Sequence, residues 1–549
     1  MDPLRHPAER TGVLGGQPGP HPHPGDLSAQ SGRLADRVPL AVTDRTATPQ
    51  RRNVLLIVAD QLRADALGCY GAPHARTPHL DALAARGTRF ERHYSVTAPC
   101  GPARASLLTG VYQSVHRVVS NRTRADETRP NLATALAPAG IASHVVGYTD
   151  TVAEEASGDA ETVPRGFNWH TRFDLNRTGL RSWLDQLASH GQLVPDDPMD
   201  VLLPAPGSRN LARYPAKLSD TAFVADRTIA CMTGLQDQPW LILATFLRPH
   251  PPWVAPFPYD RLHDPADMAA PLRAASPAEE GRRHPFLRHW VGRDVPDTAP
   301  ADLTAEAIAA HRATYFGLVS EVDHHVGRIF AALENLGRAH DTLVVVTADH
   351  GDTLGDHWSL GTGGFRDTAY RVPLIVAAPD RRAAAAAVTA PTESVDVAPT
   401  VLDWARAPAL PWSSGHSLLP LLSDPAERTP WPRSEIVHEF DFRDPVDHIP
   451  ERVMSLSPQE CNLAVLRGPR FTYVHFPAQR PLLFDQLTDP GESRNLAELP
   501  QYGQVLADCA LRLLDHRMRH VDQARTGLVA TAAPAAGNGP APSPPRRVT

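Results

Sequence analysis

Two acidic pairs and one cysteine segment carry the chemistry that this sequence offers. Asp60-Gln61 follows the apolar run 53–58, and Asp349-His350 follows the apolar run 343–346. Acids that end two strands are delivered to one sheet edge, where open α/β folds gather their ligands. Two carboxylates, an imidazole and an amide oxygen form an oxygen-rich site for one divalent ion. Such a set suits Mn²⁺, Ca²⁺ or Mg²⁺ better than structural zinc. Strand-end acids also cap helices, and either pair alone fits that plainer role. The third candidate is Cys100-Gly101-Pro102-Ala103-Arg104. Taken as an isolated match, it also fits a Pro-bounded turn leading into a helix, with Cys100 an ordinary buried thiol.

The run 53–58 is short and continuously apolar, and 143–146, 240–246 and 343–346 follow the same grammar, each bounded by polar or turn residues and none strictly alternating. They read as strands of a parallel sheet covered on both faces. Residues 77–87 read as a crossover helix, with Thr77-Pro78 at its start and Gly87 at its stop. From 306 to 337, Tyr315, Leu318, Val322, Val326, Ile329 and Leu333 recur at helical spacing. That stripe is one face of a long helix that feeds the 343–346 strand. Beyond about residue 425, the runs 434–438, 463–466 and 471–476 read as short strands, and 502–521 as a helix. The expected fold is α/β: a large, mostly parallel sheet flanked by helices over 51–425, then a smaller antiparallel α+β subdomain over 426–525. Residues 1–50 and 526–549 are rich in Pro, Gly and Ala without periodicity and are expected to be disordered tails. His21 and His23 belong to the first of these and read as part of a solvated tail.

Composition narrows the function. The 549 residues carry a net charge of −7 with 21% charged side chains, and no basic stripe speaks for nucleic acid. The five cysteines, Cys69, Cys100, Cys231, Cys461 and Cys509, are scattered and include no Cys-x-x-Cys pair. Neither a zinc site nor a disulfide framework is expected, and a reducing cytoplasm fits best. The N-terminus shows no apolar core of signal-peptide length, and no apolar run is long enough to cross a bilayer. Neither export nor a membrane partner is therefore expected. Lys217 is the only lysine among 54 Lys and Arg residues.

Three blocks carry a family resemblance: 53–71 with Asp60-Gln61, the Cys100 segment, and 347–357 with Asp349-His350. Together they resemble the sulfatase branch of the alkaline phosphatase superfamily, over nearly everything between residues 52 and 500. The Cys-x-Pro-x-Arg core is similar to the signal by which such enzymes have a cysteine converted to formylglycine (3-oxoalanine). A hydrated formylglycine is a geminal diol: one hydroxyl attacks phosphorus or sulfur, and the other later expels the bound group. Gly101, residues 120–123, 147–150 and 473–476, and Arg248-Pro249-His250-Pro251-Pro252-Trp253 most resemble phosphonate monoester hydrolases and phosphodiesterases. The resemblance implies that Asp60, Gln61, Asp349, His350 and modified Cys100 bind one divalent ion, Mn²⁺ foremost. It further implies that Arg104 orients the aldehyde hydrate, that Asn121 and Tyr148 contact the substrate oxygens, and that His250 protonates the leaving group. His250 between prolines also fits a rigid turn with a packed imidazole.

One position departs from the family pattern. Where a lysine would touch the transferred group, this chain has Thr362, which offers only a neutral hydrogen bond. Arg366, four residues on, is the natural substitute in a chain nearly without lysine. The expected function is hydrolysis of a small anionic ester, a phosphonate monoester or phosphodiester. A sulfatase with the same nucleophile and a degenerate non-catalytic binding module are the alternatives. A formylglycine-generating enzyme is an expected partner, and the C-terminal end is expected to shape the substrate mouth or a homo-oligomer contact.

Overall fold

Strand Asn53–Ala59 has all seven residues buried. Leu55, Ile57 and Ala59 pack into one apolar core, while Val54, Leu56 and Val58 pack into another. A strand covered on both faces has no polar side to display, which explains its unbroken apolar run. Helices Pro78–Arg86, Asp220–Gly234 and Ala305–Asn335 supply the first core. Helices Cys100–Thr109, Leu132–Leu136 and Val397–Ala405 supply the second. Each fully buried Leu, Ile or Val contributes about 1.5–3 kcal/mol relative to exposure. The computed structural model describes residues 52–121, 123–151, 163–235, 237–292, 303–379, 386–423, 430–444 and 446–521.

The sheet has eight strands, in the order Ala386–Val388, Thr88–Phe90, Leu374–Ala377, Thr342–Thr347, Asn53–Ala59, Trp240–Phe246, Ala142–Gly147 and Phe167–Arg172. Only Leu374–Ala377 runs against the others. Asn53 ties the amino ends of three strands: its Nδ2 donates to Asp341 at 2.8 Å, and its Oδ1 accepts from the Trp240 N–H at 3.3 Å. The carboxyl ends of four adjacent parallel strands therefore lie side by side. They lead into Asp349, Asp60, the 248–250 turn and Tyr148, in the spatial order of the strands.

A second sheet of five strands is built mainly from Ile436–Asp441, Asn462–Arg467, Phe471–His475 and Leu482–Asp485, paired antiparallel. Its fifth strand is Thr97–Ala98, added parallel to Ile436–Asp441. The expected antiparallel unit thus recruits the two residues that lead into Cys100. Tyr94, Ala98, Phe365 and Tyr370 share one core with Phe440, Val465 and Phe484. Helix Gly503–Arg519 covers the other face through Cys509 and Leu513.

The expected helices at 77–87 and 306–337 form as Pro78–Arg86 and Ala305–Asn335, within one or two residues of their sequence signals. The strands Ala386–Val388, Thr88–Phe90 and Leu374–Ala377 extend the sheet on one side beyond the strands that the sequence predicts. The expected tails, with His21 and His23, and the boundary near residue 425 lie outside the described residues. Among the described residues, no helix is long and apolar enough to cross a membrane.

Candidate active site

Cys100 is the first residue of helix Cys100–Thr109, with Pro99 extended before it and Pro102 inside its first turn. First-turn N–H groups have no helical partner, so Pro102 removes nothing the helix needs. Gly101 is required by crowding: a Cβ there would lie 2.7 Å from the Asp150 carbonyl oxygen and 3.0 Å from the Asn121 Cα. The Gly101 N–H donates to Asn121 Oδ1 at 2.9 Å, which leaves the amide Nδ2 of this exposed residue to face a ligand.

One turn along the same helix, the Arg104 guanidinium joins the two strand ends. Its Nε donates to Asp349 Oδ2 at 2.9 Å, its Nη2 to Asp60 Oδ2 at 3.1 Å, and its Nη1 to the Tyr148 carbonyl at 2.9 Å. The Tyr148 ring lies 4.0 Å below it. Arg104, Asp60 and Asp349 are all at most 2% exposed, so this cation balances carboxylates that water cannot reach.

His350 Nε2 lies 3.2 Å from Cys100 Sγ, and its Nδ1 lies 3.1 Å from the Gly351 carbonyl. A carbonyl only accepts, so the proton sits on Nδ1 and the Nε2 lone pair faces Cys100. Asp60, Cys100, Asp349 and His350 offer ligand atoms all within 4.8 Å of one another. Burial drives the Cys100 thiol well above its ordinary range, and the charges of Asp60, Asp349 and Asp150 drive it further. Burial alone would raise Asp60, but the charges of His250, Arg104 and His350 and the Tyr148 hydrogen bond pull it below the usual carboxylate range. The donor set is therefore two carboxylates and an imidazole nitrogen around a sulfur that resists ionisation. It fits a hard divalent ion best when position 100 presents oxygen rather than sulfur.

Gln61 adopts a left-handed backbone (φ 65°), and its N–H donates to Asp349 Oδ1 at 3.1 Å. Its side-chain nitrogen donates to Asp352, which leaves Oε1 as the atom free to meet a cation. Asp352, not singled out from the sequence, also accepts from the Leu354 and Gly361 N–H groups and so sets the course of the loop after His350. Tyr148 gives its hydroxyl to Asp60 Oδ2, an engagement with the carboxylate rather than with an open ligand position. Gly147 before it has φ +111°, and a Cβ there would meet Thr245 Oγ1 at 2.2 Å.

His250 is half-buried, with Nδ1 against the Pro251 carbonyl and its charge felt by Asp60. Asp150, also missed from the sequence, has a left-handed backbone (φ 52°), and burial pushes its carboxyl up to about 8. Its only sequence signal is its place directly after Gly147-Tyr148-Thr149. Thr362 Oγ1 is buried without a hydrogen-bond partner. Arg366 does not take over the missing cationic role through its contacts: Nη1 donates to the Glu492 carbonyl at 2.6 Å, and Nη2 pairs with Glu280 at 3.1 Å. The guanidinium also stacks over Phe365 at 4.6 Å and is committed to that packing.

The sulfatase family model matches residues 52–407, and a model for the C-terminal part of N-sulphoglucosamine sulphohydrolase matches residues 364–519. The multifunctional alkaline phosphatase superfamily protein PehA of Trinickia caryophylli is 36% identical over 503 residues, covering 87% of this chain and 97% of that protein. The solved phosphonate monoester hydrolase of Silicibacter pomeroyi is 39% identical, with a TM-score of 0.78 and coverage of 86% of this chain and 96% of that one. That of Agrobacterium radiobacter is 37% identical, with a TM-score of 0.80 and coverage of 89% and 100%. Fold and site place the chain among the ester-bond hydrolases of the alkaline phosphatase superfamily. Within that class it belongs to the sulfatase family, whose model spans more than half of its length.

Proposed function

We propose that this protein hydrolyses phosphonate monoesters and phosphodiesters, with Cys100 matured to formylglycine and one divalent ion, Mn²⁺ foremost, held by Asp60, Gln61, Asp349, His350 and residue 100. The observation that carries this reading is the buried meeting of Cys100 with Asp60, Asp349 and His350. The preference for phosphorus over sulfur is supported by the two phosphonate monoester hydrolases of similar fold and sequence.

The ion would act as a Lewis acid, lowering the pKa of the nucleophile and offsetting charge on the substrate oxygens. Arg104 holds Asp60 and Asp349 in register and balances their charge. The N-terminus of the Cys100–Thr109 helix places its partial positive charge at residue 100, where negative charge develops. Asn121, oriented by the Gly101 N–H, presents its Nδ2 to a substrate oxygen. His250, with Nδ1 held against the Pro251 carbonyl, would deliver a proton from Nε2 to the departing alkoxide or aryloxide.

Maturation by a formylglycine-generating enzyme is the partnership this reading requires. A cytoplasmic setting belongs to the same reading, supported by five cysteines without a disulfide. The test compares an aryl phosphonate monoester, an aryl phosphodiester and an aryl sulfate at equal concentration. The expected result is kcat/KM higher on both phosphorus esters by roughly tenfold or more, a difference of about 1.4 kcal/mol in barrier. A faster aryl sulfate would make the protein a sulfatase, and no turnover by matured protein would make it a binding module.

A further inference from the structure

We propose that Arg248, anchored by Asp220, is the positioning residue that aims His250 at the leaving oxygen. This rests on His250 acting as the proton donor.

Strand Trp240–Phe246 leads into Arg248-Pro249-His250-Pro251-Pro252, in which three of five residues lack an N–H. Of the two remaining donors, the His250 N–H is spent on the Leu247 carbonyl at 3.0 Å. Such a turn has few N–H groups of its own to hold its carbonyls: the Pro252 carbonyl takes the Val254 N–H at 2.8 Å, and a side chain supplies the further donors.

Arg248 supplies them. It is wholly buried, and its Nη1 donates to the carbonyls of His250 at 3.2 Å and Pro252 at 2.6 Å. The carbonyl of Pro251, between those two clamped carbonyls, is the one that receives the His250 Nδ1 proton. Arg248 thus fixes the backbone on both sides of the group that orients the imidazole, and Nε2 is left pointing away from the turn. On its other side, Nε donates to Asp220 Oδ2 at 2.8 Å, and Nη2 reaches the Tyr214 hydroxyl at 3.4 Å.

Asp220 is 1% exposed and is the first residue of helix Asp220–Gly234, whose amino end is capped by Ser219. The anchor is therefore part of a rigid element rather than a loop. The chain of contacts runs from helix to carboxylate, from carboxylate to guanidinium, and from guanidinium to the two carbonyls flanking Pro251. The planar fork presents donors from three separate nitrogens, whereas a lysine gathers its three on one. A proton donor misplaced by a fraction of an ångström loses much of its effect, because proton transfer in the transition state requires hydrogen-bond distance to the departing oxygen.

The test uses the full-length matured protein and two esters of one phosphonic acid. One leaves as an alkoxide that needs a proton, and the other as a nitrophenolate that does not. Arg248→Met and Asp220→Asn are expected to lower kcat on the alkyl ester by roughly 50-fold or more and on the nitrophenyl ester by less than about fivefold, as His250→Ala does, with KM little changed. The double variant Arg248→Met/His250→Ala is expected to be no slower than His250→Ala alone. Equal losses on both esters, or losses that add in the double variant, would overturn the proposal and mark Arg248 as a structural residue only. Should Arg248→Met fail to accumulate as folded protein, Asp220→Asn alters only the anchor and gives the same readout. If His250→Ala shows no leaving-group dependence while the unmutated protein hydrolyses both esters, the proton-donor role itself fails. That result is distinct from an Arg248 variant that departs from a leaving-group-dependent His250→Ala.

Discussion

Nε2 of His350 faces Sγ of Cys100 at 3.2 Å, in a pocket where both side chains are at most 4% exposed. A thiolate nucleophile is unfavourable there: burial and three nearby carboxylates oppose ionisation of the thiol. An aldehyde hydrate at the same position offers oxygen to the same neighbours. The peptide spanning Cys100, isolated from the native host, is expected to carry the aldehyde in place of the thiol by mass spectrometry. Cys100→Ala is expected to lower phosphodiester turnover by roughly three orders of magnitude or more, because it removes the nucleophile. An unmodified thiol in fully active protein would exclude formylglycine.

Arg104 is the cation that makes the carboxylate pair tolerable without a bound ion. Replacing it with methionine leaves Asp60 and Asp349 buried and unbalanced, a change that costs about 3–5 kcal/mol. Arg104→Met is therefore expected to melt well below the unmutated protein in a metal-free buffer. Added Mn²⁺ is expected to restore more of its melting temperature than it adds to the unmutated protein. A melting curve indifferent to Mn²⁺ would show that the ion does not sit between these carboxylates.

The parts of the site that were legible in the sequence are those in which chemistry and element signal coincide in a few consecutive residues. Asp60 and Asp349 each follow a strand whose two buried faces force an unbroken apolar run, and Cys100 opens a helix whose first turn is spelled by its own segment. Asp352 and Asp150 lie inside the blocks 347–357 and 147–150, but nothing local assigns them a role: Asp352 meets Gln61 from another strand end, and burial in the fold raises Asp150. Thr97–Ala98 is too short for any periodicity, and only its pairing with Ile436–Asp441 makes it a strand. Arg366 was misjudged for a related reason. Its partners Glu280 and Glu492 lie 86 and 126 residues away, and nothing near it in sequence announces that its charge is already engaged.

The four donors at Asp60, Cys100, Asp349 and His350 make metal removal a direct test of the site. Dialysis against a chelator is expected to abolish turnover and lower the melting temperature, and Mn²⁺ is expected to restore both. A ligand at a hundred times its Kd stabilises the folded state by about 2.7 kcal/mol, so the shift is readable by calorimetry. Asp349→Asn is expected to lose most of this dependence. Its melting temperature becomes similar with and without Mn²⁺, while its turnover falls by roughly a hundredfold or more.

Glu321, on helix Ala305–Asn335, faces Asp220 and Arg248 with no exposure to solvent. Burial raises its carboxyl from an ordinary 4.5 to about 8, and the Asp220 charge adds to this, against the nearby Ser219 hydroxyl and the Arg248 charge. The Arg248 charge is thus balanced by Asp220 alone at neutral pH. Because the folded pKa is raised, the unfolded chain releases this proton first as pH increases. The associated stability is complete below pH 4.5 and is lost progressively as pH rises through about 8. Glu321→Gln cannot ionise and escapes that loss. Its melting temperature is expected to match that of the unmutated protein near about pH 5 and to exceed it by several degrees near about pH 9, a difference on the order of a few kcal/mol. Comparing the two proteins isolates this group from the others that titrate over the same range. A constant offset between the two curves at every pH would show that Glu321 is ionised in the folded protein, and that Arg248 is balanced by two carboxylates rather than one.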